Sequence, residues 1–326
     1  MTKTAAVRNS GRPPVLVGVD GSVSARGALV WAAAAASSRR CPLRIVHTFS
    51  WPIIGNALDL SFSGEMTNGL QSAAEWVLAE AEAHARHVAP GIRISSELFV
   101  GGAAPTLLSQ AQGAALVVVG SRGLGGFRGL LVGSVSAAVA AHAPCPVIVI
   151  HPQRDGTAFP TVPSGRVVVG VDGSEVSGAA IRFAFQEAAR RRVGVTAVHA
   201  AMPVRQPSLV VPAEIIEHHL FTEAMDSQRA LFPGIDLEAK VVHGHQAQAL
   251  VDESEGAALV VVGSRGRGGF AGMLLGSVSQ AVLHHAACPV AVVHPQQTKV
   301  IKPLPANYRR LQLTAPNLST DLKELS

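Results

Sequence analysis

The sequence predicts an α/β protein composed of two tandem, doubly wound, Rossmann-like domains. Three observations lead to this prediction: apolar strands alternate with helical segments, the pattern occurs twice, and a glycine-rich segment follows a strand in each copy. Strands that are apolar throughout and alternate with helices are typical of a parallel sheet covered by helices on both faces.

Each half of the chain reads as five strands separated by four helices. In the first half, strands are predicted at residues 15–19, 43–49, 92–99, 115–119 and 147–150, and helices at residues 25–38, 68–88, 105–112 and 134–142. Ser22 or Ser24 is expected to cap the first helix, because a serine hydroxyl accepts hydrogen bonds from its free N–H groups. The second half repeats this order from Val167 to Val293.

The chain is an internal duplication. Residues 113–153 align without gaps to residues 256–296, and 31 of these 41 positions are identical. Further upstream, VLVGVDGS at residues 15–22 matches VVVGVDGS at residues 167–174 in the same order. A chain of 326 residues accommodates two such units as domains of ordinary size.

Composition shifts mark the predicted domain boundaries. A short linker with two prolines separates the units, and the residues after the second unit are polar with weak periodicity, as expected of a mobile tail or an arm lying on the body. The predicted divisions are an N-terminal extension at 1–13, domain 1 at 14–153, a linker at 154–165, domain 2 at 166–296 and a tail at 297–326.

The composition argues against several classes of protein. With 48% hydrophobic residues each half can build a core, and no apolar run approaches the ~18 residues that cross a bilayer. Three cysteines form no obvious disulfide framework, and no apolar signal segment follows the first basic residues, so a cytoplasmic location is expected. The net charge of +5 is scattered and aromatic residues are only 4%, so nucleic acid is not an expected partner.

The repeated glycine-rich segment is the strongest functional signal. GSRGLGGFRGLLVGSVS at residues 120–136 returns as GSRGRGGFAGMLLGSVS at residues 263–279, each time between an apolar strand and a helix. A helix N-terminus behind a glycine loop offers free N–H groups and a positive dipole end to an anion. Two phosphate-binding modules are therefore predicted, with a flexible turn as the alternative interpretation.

A second polar motif, Gly-Val-Asp-Gly-Ser, follows the first strand of each half. Ligands of open parallel sheets bind beyond the carboxyl ends of the strands, where the winding reverses. If the first and fourth strands are neighbours, the two motifs face one crevice. Asp20 and Asp172 then belong to the site, the alternative being that they cap the helix that follows.

These residues resemble the universal stress protein family in its tandem two-domain form. The nucleotide-binding members carry G-x2-G-x9-G-(S/T), which is matched here twice, by Gly120, Gly123, Gly133 and Ser134 and by Gly263, Gly266, Gly276 and Ser277. The family's early aspartate, its Val-His pair and its Cys-Pro-Val strand are matched in order at Asp20, Val46–His47 and Cys145–Val147, and again at Asp172, Val198–His199 and Cys288–Val290. The resemblance covers roughly residues 14–295.

The resemblance implies the five-stranded parallel sheet of the adenine nucleotide α-hydrolase-like type, with ATP in the crevice. It assigns ribose or metal contact to Asp20 and Asp172, the adenine edge to backbone groups of Val46 and Val198, and the ribose to Gly120 and Gly263. It assigns the phosphates to Gly123, Gly133, Ser134 and Val135 and to Gly266, Gly276, Ser277 and Val278. The loop residues Gly21, Ser22, Gly173 and Ser174 are counted with the two sites.

Three further expectations concern the phosphate end. Ser134 and Ser277 are expected to cap the following helix and to donate a hydroxyl to phosphate. Arg122 and Arg265 either meet phosphate or a partner carboxylate, or are solvated loop residues. Bound phosphates usually bring Mg²⁺, which is therefore a further candidate ligand.

The two predicted sites differ in sequence. Leu124 is replaced by Arg267 and Arg128 by Ala271, and residues 101–105 (GGAAP) stand against residues 243–247 (HGHQA). Different affinities are therefore expected at the two sites.

An ATP-binding stress-response regulator, acting as a nucleotide-dependent switch in growth or survival control, is the favoured function. The alternative is a slow ATPase or adenylate-forming enzyme, and a third possibility is a scaffold with degenerate sites. Neither glycine loop contains a lysine or an obvious base for water, which argues against efficient turnover. The apolar strands at 147–150 and 290–293 are predicted to pair between the units, extended by a homodimer, and the sequence names no downstream protein partner.

Overall fold

The computed structural model describes residues 11–49, 64–124, 132–152, 165–201, 213–266, 275–295 and 309–311. The strands are β1 (Val15–Gly18), β2 (Leu43–Phe49), β3 (Ile94–Val100), β4 (Leu116–Gly120), β5 (Val147–Ile150), β6 (Val167–Val171), β7 (Val195–Ala201), β8 (Leu237–His243), β9 (Leu259–Gly263), β10 (Val290–Val293) and β11 (Arg309–Leu311). The helices are α1 (Val23–Arg39), α2 (Gly64–Val88), α3 (Ala103–Gln110), α4 (Ser134–His142), α5 (Glu175–Arg191), α6 (Ala213–Leu231), α7 (Gln246–Asp252) and α8 (Ser277–His285).

All the described strands belong to one sheet. Their order is β11-β3-β2-β1-β4-β5-β10-β9-β6-β7-β8. Within each half the five strands of the repeat are parallel, and β1 lies between β2 and β4 just as β6 lies between β7 and β9. The winding therefore reverses between the first and fourth strands of each half, which confirms the doubly wound α/β prediction.

The two halves join through their last strands. β5 and β10 are antiparallel, with Val147 opposite Val292 and Val149 opposite Val290. The predicted pairing between the units is present, and it leaves neither strand with an open edge because each also pairs with its own fourth strand. A homodimer would need another surface. The antiparallel junction also places the carboxyl ends of the two sets of strands at opposite rims of the sheet.

A short segment of the predicted tail lies on the body of the protein. Arg309–Leu311 forms β11, which pairs antiparallel with β3, and Leu311 packs against the hydrophobic core. An added strand of this kind covers backbone groups that an edge strand otherwise exposes. The other residues between 297 and 326 lie outside the described residues, as does the linker from 154 to 164.

Helices cover both faces of the sheet. Alternate residues of β1 pack on opposite sides, Val15 and Val17 against α1 and α2, and Leu16 against α3 and α4, and all three are completely buried. Burial on both faces is why these strands read as continuous apolar runs. Within the described ranges, no helix has both the length and the apolarity that a bilayer crossing requires.

The ends of α1 and α5 show how local sequence fixes the repeat. Of the two predicted caps, Ser22 is the one that closes α1, where its hydroxyl accepts a hydrogen bond from the Ala25 N–H at 3.2 Å. Ser174 does the same for α5. Arg40 and Arg192 follow the two helices in left-handed conformation, with φ of 51° and 58°, and their N–H groups bond back to the last turn.

Candidate functional site

The first half has a cleft of about 290 Å³ where the carboxyl ends of β1 and β4 separate. Eight residues predicted from the sequence come together there: Asp20, Val46, Gly120, Arg122, Gly123, Gly133, Ser134 and Val135. The remaining lining residues are Gly18, Val19, Ala25, Thr48, Ala103, Leu107, Val119, Leu124 and Ser136. The predicted residues Gly21 and Ser22 support the wall instead, since Gly21 turns the chain at φ +84° and Ser22 caps α1.

Asp20 ties the two polar motifs together. One carboxylate oxygen accepts the Ser22 N–H at 3.0 Å, and the other accepts the Leu124 N–H from the glycine loop, also at 3.0 Å. The helix cap is Ser22, so the interpretation of Asp20 as a cap of α1 is wrong. A carboxylate has about four lone-pair positions, so two remain for a ligand that reaches the cleft.

The spacing of the glycines follows from close packing around this loop. A Cβ at Gly120 would lie 2.6 Å from the Ser24 hydroxyl oxygen and 2.7 Å from the Ser24 carbonyl carbon, and a Cβ at Gly123 would collide with the Asp20 carboxylate. Gly120 therefore requires a residue without a side chain, whereas a side chain at Gly123 would force the Asp20 carboxylate to move. Two serines fix the loop from the other side, because the hydroxyls of Ser22 and Ser24 donate to the Arg122 carbonyl.

The N-terminus of α4 faces the cleft without a side-chain cap. Gly133 is the N-cap residue and Ser134 is the first residue of the helix, so the prediction that Ser134 caps α4 is wrong. Gly133 cannot cap with a side chain, and its own N–H donates to the Ser121 carbonyl at 2.6 Å. The N–H groups of the first turn thus point toward an anion position, where the helix dipole favours negative charge.

Val46 lines the cleft through its side chain, which is almost fully buried. Its carbonyl already accepts the Val19 N–H at 2.9 Å, so one of its backbone groups is engaged within the sheet. Thr48 lies two residues further along β2 and faces the same side, which the period-two rule could have indicated. Sequence reasoning missed Thr48, and it missed Ala103 and Leu107 of α3 because no motif marks them.

His47 has a structural partner. Its Nδ1 donates to the Val19 carbonyl at 2.7 Å, and burial is the main reason that the pKa of His47 lies below its ordinary value. His199 makes the same bond to Val171 at 2.8 Å. Across the described ranges, no group of three His, Cys, Asp or Glu side chains could hold a metal ion. These findings agree with the interpretation of both histidines as core or edge residues.

The second half repeats the predicted phosphate end of the site. Asp172 accepts the Ser174 N–H at 3.0 Å and the Ser174 hydroxyl at 2.7 Å, and a Cβ at Gly266 would collide with its carboxylate. Gly276 is the uncapped N-cap residue of α8, and Ser277 therefore does not cap it. The predicted residues Gly173, Val198, Gly263, Arg265 and Val278 occupy positions equivalent to their first-half counterparts. Arg267 and residues 268–274 lie outside the described residues, as do residues 125–131.

The predicted base end of the second site differs. The structure aligns Gly101 with Gly244, both with φ above +120°, rather than with His243 as the sequence comparison had it. Gln246 therefore corresponds to Ala103, at the start of the equivalent helix. The Gln246 side-chain amide donates to the Val171 carbonyl at 3.3 Å, whereas alanine leaves this position of the first cleft open.

Comparison with protein families decides what the two halves are. The model for the universal stress protein family matches residues 12–151 and again residues 163–294. The chain belongs to the universal stress protein family. Among curated relatives of this universal stress protein, Universal stress protein Rv2623 of Mycobacterium tuberculosis is 36% identical over 293 residues, which cover 87% of this chain and 97% of the relative. A universal stress protein of Mycolicibacterium smegmatis is 34% identical and covers 86% of this chain and 97% of its own.

Solved structures share the fold of this universal stress protein. The crystal structure of a universal stress protein from Archaeoglobus fulgidus superimposes with a TM-score of 0.65, covering 86% of this chain and 98% of the other at 19% identity. A functionally unknown protein from Pseudomonas aeruginosa gives a TM-score of 0.56 at 17% identity. At these identities the likeness concerns the arrangement of strands and helices alone.

Proposed function

We propose that this universal stress protein is an ATP-binding regulatory protein with one nucleotide site in each half. It acts as a nucleotide-dependent switch in growth or survival control. The observation that carries the proposal is the cleft at β1 and β4, where an uncapped helix N-terminus, a close-packed glycine loop and a single aspartate converge. This combination offers a phosphate chain many donors and the ribose one acceptor.

The phosphate end of the ligand lies against α4. The N–H groups of Ser134 and Val135 and the Ser134 hydroxyl supply donors without a charged side chain, and Arg122 on the rim adds a guanidinium. Asp20 is the only carboxylate among the described lining residues. Mg²⁺ commonly binds through one or two carboxylates together with phosphate oxygens, so the free lone pairs of Asp20 fit a cation that arrives with ATP.

The same groups explain why turnover should be slow. His47 is buried and bonded to Val19, and the Asp20 carboxylate holds two backbone N–H groups. Burial lowers the pKa of the His47 imidazole, and the two remaining Asp20 lone pairs are the ones expected to face the ribose or Mg²⁺. Neither group is therefore well suited to take a proton from an attacking water, which is the role of a general base. The hydrogen bond from the Leu124 N–H to Asp20 joins the glycine loop to the β1–α1 loop. Differential affinity for two positions of that loop is sufficient for a switch.

The first experiment is to purify the protein without added nucleotide, denature it and identify the released small molecules by chromatography and mass spectrometry. Two ATP per chain are expected. ADP or AMP alone would favour the slow ATPase or adenylate-forming alternative, and a turnover assay would follow. Absence of nucleotide, together with no binding of added ATP in calorimetry, would leave a scaffold and overturn the proposal.

A matched pair of glycine variants tests the site itself. Gly133→Val places a branched side chain where even a Cβ lies 3.4 Å from the Ser121 carbonyl, and it should remove one of the two ATP equivalents. Gly234→Val is the control, because a Cβ there has nothing within 4 Å. Equal ATP content in the two variants would contradict the assignment of the first site.

A further inference from the structure

A second and larger cavity lies at the junction of the two halves. It has a volume of about 590 Å³ and opens between α5 and the amino ends of β4 and β5, beside the carboxyl end of β10. It shares no described lining residue with the nucleotide cleft of the first half or with the equivalent positions of the second. Its size lies within the range of small-molecule sites, roughly 300–1,000 Å³.

The wall of this junction cavity is strongly basic. Four arginines from three segments line it: Arg12 before β1, Arg39 at the end of α1, and Arg182 and Arg190 of α5. No aspartate or glutamate is among the described lining residues. Apolar residues, among them Leu116 and Phe183, also line it. The cavity thus combines guanidinium groups with an apolar surface.

Among the described residues, the positive charge next to the cavity is not balanced. Glu187 is 1% exposed and is the common partner of Arg39, Arg190 and Arg191, the last two at 2.9 and 3.7 Å. One carboxylate therefore serves three guanidinium groups, which leaves two positive charges. The pKa of Arg39 lies below its ordinary value, mainly because the side chain is buried. Glu187 raises this pKa, and the neighbouring arginines lower it further. An added anion would relieve this repulsion.

The internal repeat allows the residues that line the cavity to be compared with those at the equivalent positions of the other half. The helices α1 and α5 have the same length, so Arg182 corresponds to Val30 and Gln186 to Ala34. In the same register Arg12 corresponds to Ser164. Phe183 corresponds to Trp31, over whose ring the Arg191 guanidinium lies at 4.9 Å. Arg190 likewise corresponds to Ser38, whereas Arg39 has its counterpart in Arg191. Three of the four lining arginines are therefore absent from the equivalent positions of the other copy.

We propose that the junction cavity binds a small, multiply phosphorylated anion at a site separate from both nucleotide clefts. Guanidinium groups hold phosphate oxygens through paired N–H donors, and several of them converge here from both halves of the chain. Leu116 and Phe183 offer an apolar surface to any part of the ligand that carries no phosphate. Because Arg39 belongs to the first half and Arg182 to the second, the ligand would bridge the two.

Inorganic pyrophosphate is the probe, titrated calorimetrically into the full chain that has first been saturated with ATP. Arg182→Ala and Arg12→Ala each remove one exposed guanidinium from the cavity wall and should raise the Kd at least about tenfold. Arg229→Ala is the control, because Arg229 lies on α6, away from the cavity, and its loss changes the net charge equally. The melting temperature of each variant without ligand checks its folding.

The proposal would be supported by saturable binding of one pyrophosphate per chain that weakens in both cavity variants but not in Arg229→Ala. This outcome would hold even if ATP bound nowhere. A rise of the melting temperature with pyrophosphate, lost in Arg182→Ala, would support it independently. Absence of saturable binding would overturn it. Equal weakening in the control would also overturn it, because it would reduce the effect to general attraction by a cationic protein.

Discussion

The proposed phosphate ends of the two halves are nearly the same, whereas their proposed base ends and their junction helices differ. Asp20 and Asp172 each accept a hydrogen bond from the backbone N–H of the residue two positions later. Each also lies against a glycine where a Cβ would collide with the carboxylate. Ala103 and Gln246, by contrast, give the two helices that border the base end different side chains. The contacts between each aspartate and its glycine are thus common to both halves, whereas the side chains on the walls differ.

The largest expected effect concerns the junction helices. Glu187→Ala gives α5 the residue that α1 has at the equivalent position, Ala35, and leaves three guanidinium groups without their carboxylate. Breaking a buried ion pair in this way should lower the free energy of unfolding by about 3–5 kcal/mol. Chemical denaturation measures it, with the exposed Glu223→Ala as control. A loss of less than about 1 kcal/mol would mean that water compensates the three arginines.

The next effect concerns the aspartates that the halves share. Asp20→Asn keeps the size of the side chain but replaces one acceptor oxygen by an NH₂ group, so the bonds to Ser22 and Leu124 cannot both be kept. ATP binding at the first site should weaken about tenfold, with the second site unchanged. Asp172→Asn should do the reverse in the same titration. Equal weakening of both sites by either variant would show that the halves do not bind independently.

A smaller effect should follow from exchanging the base-end residues. Gln246→Ala removes the amide bonded to Val171, and Ala103→Gln introduces one into the first cleft. One such hydrogen bond corresponds to roughly a two- to tenfold change in affinity. We expect the double variant to exchange the affinity order of the two sites. Unchanged affinities would assign the difference to another part of the clefts.

The smallest effect is a dependence of stability on pH in the first half. The pKa values of His47 and His151 are lowered, in both cases first by burial, so the folded state disfavours their protonation. The unfolded chain then binds more protons than the folded one below about pH 6.5. Stability from this source is complete above that pH and is lost as the pH falls toward the folded-state pKa values.

Melting temperatures between pH 7.5 and 5 measure this dependence. His151→Gln keeps a donor for the Leu283 carbonyl, which His151 Nε2 reaches at 2.7 Å, and removes the titrating group. The variant should therefore show a shallower decline than the unaltered protein. An equally steep decline would place the pH dependence in other groups.

Most of the fold was predictable because its strands are buried on both faces and the pattern occurs twice. The alternation of strands and helices and the choice of Ser22 or Ser24 as a cap follow from local sequence, whereas the pairing of Val147–Ile150 with Val290–Val293 was expected from the need to cover apolar edge strands. The eight first-half residues that line the cleft were named from the glycine loop, the aspartate motif and the resemblance to the family.

Other features depend on tertiary packing that no motif records. The capping role predicted for Ser134 is wrong by one position, because Gly133 takes the N-cap place and leaves the helix end open to a ligand. The alignment at Gly244 required its backbone angle, which sequence letters do not give. The junction cavity arises where α5 of one half meets strands of the other, so residues such as Arg12 and Arg182 show no shared pattern along the chain.

The antiparallel β5–β10 junction places the glycine loops, which follow β4 and β9, at opposite rims of the sheet. A partner seated over one glycine loop leaves the other loop uncovered at the opposite rim of the sheet. If each half binds nucleotide as proposed, the chain could present the state of each half to a different partner at the same time. A single-domain relative with one loop could achieve this only by assembling with another chain.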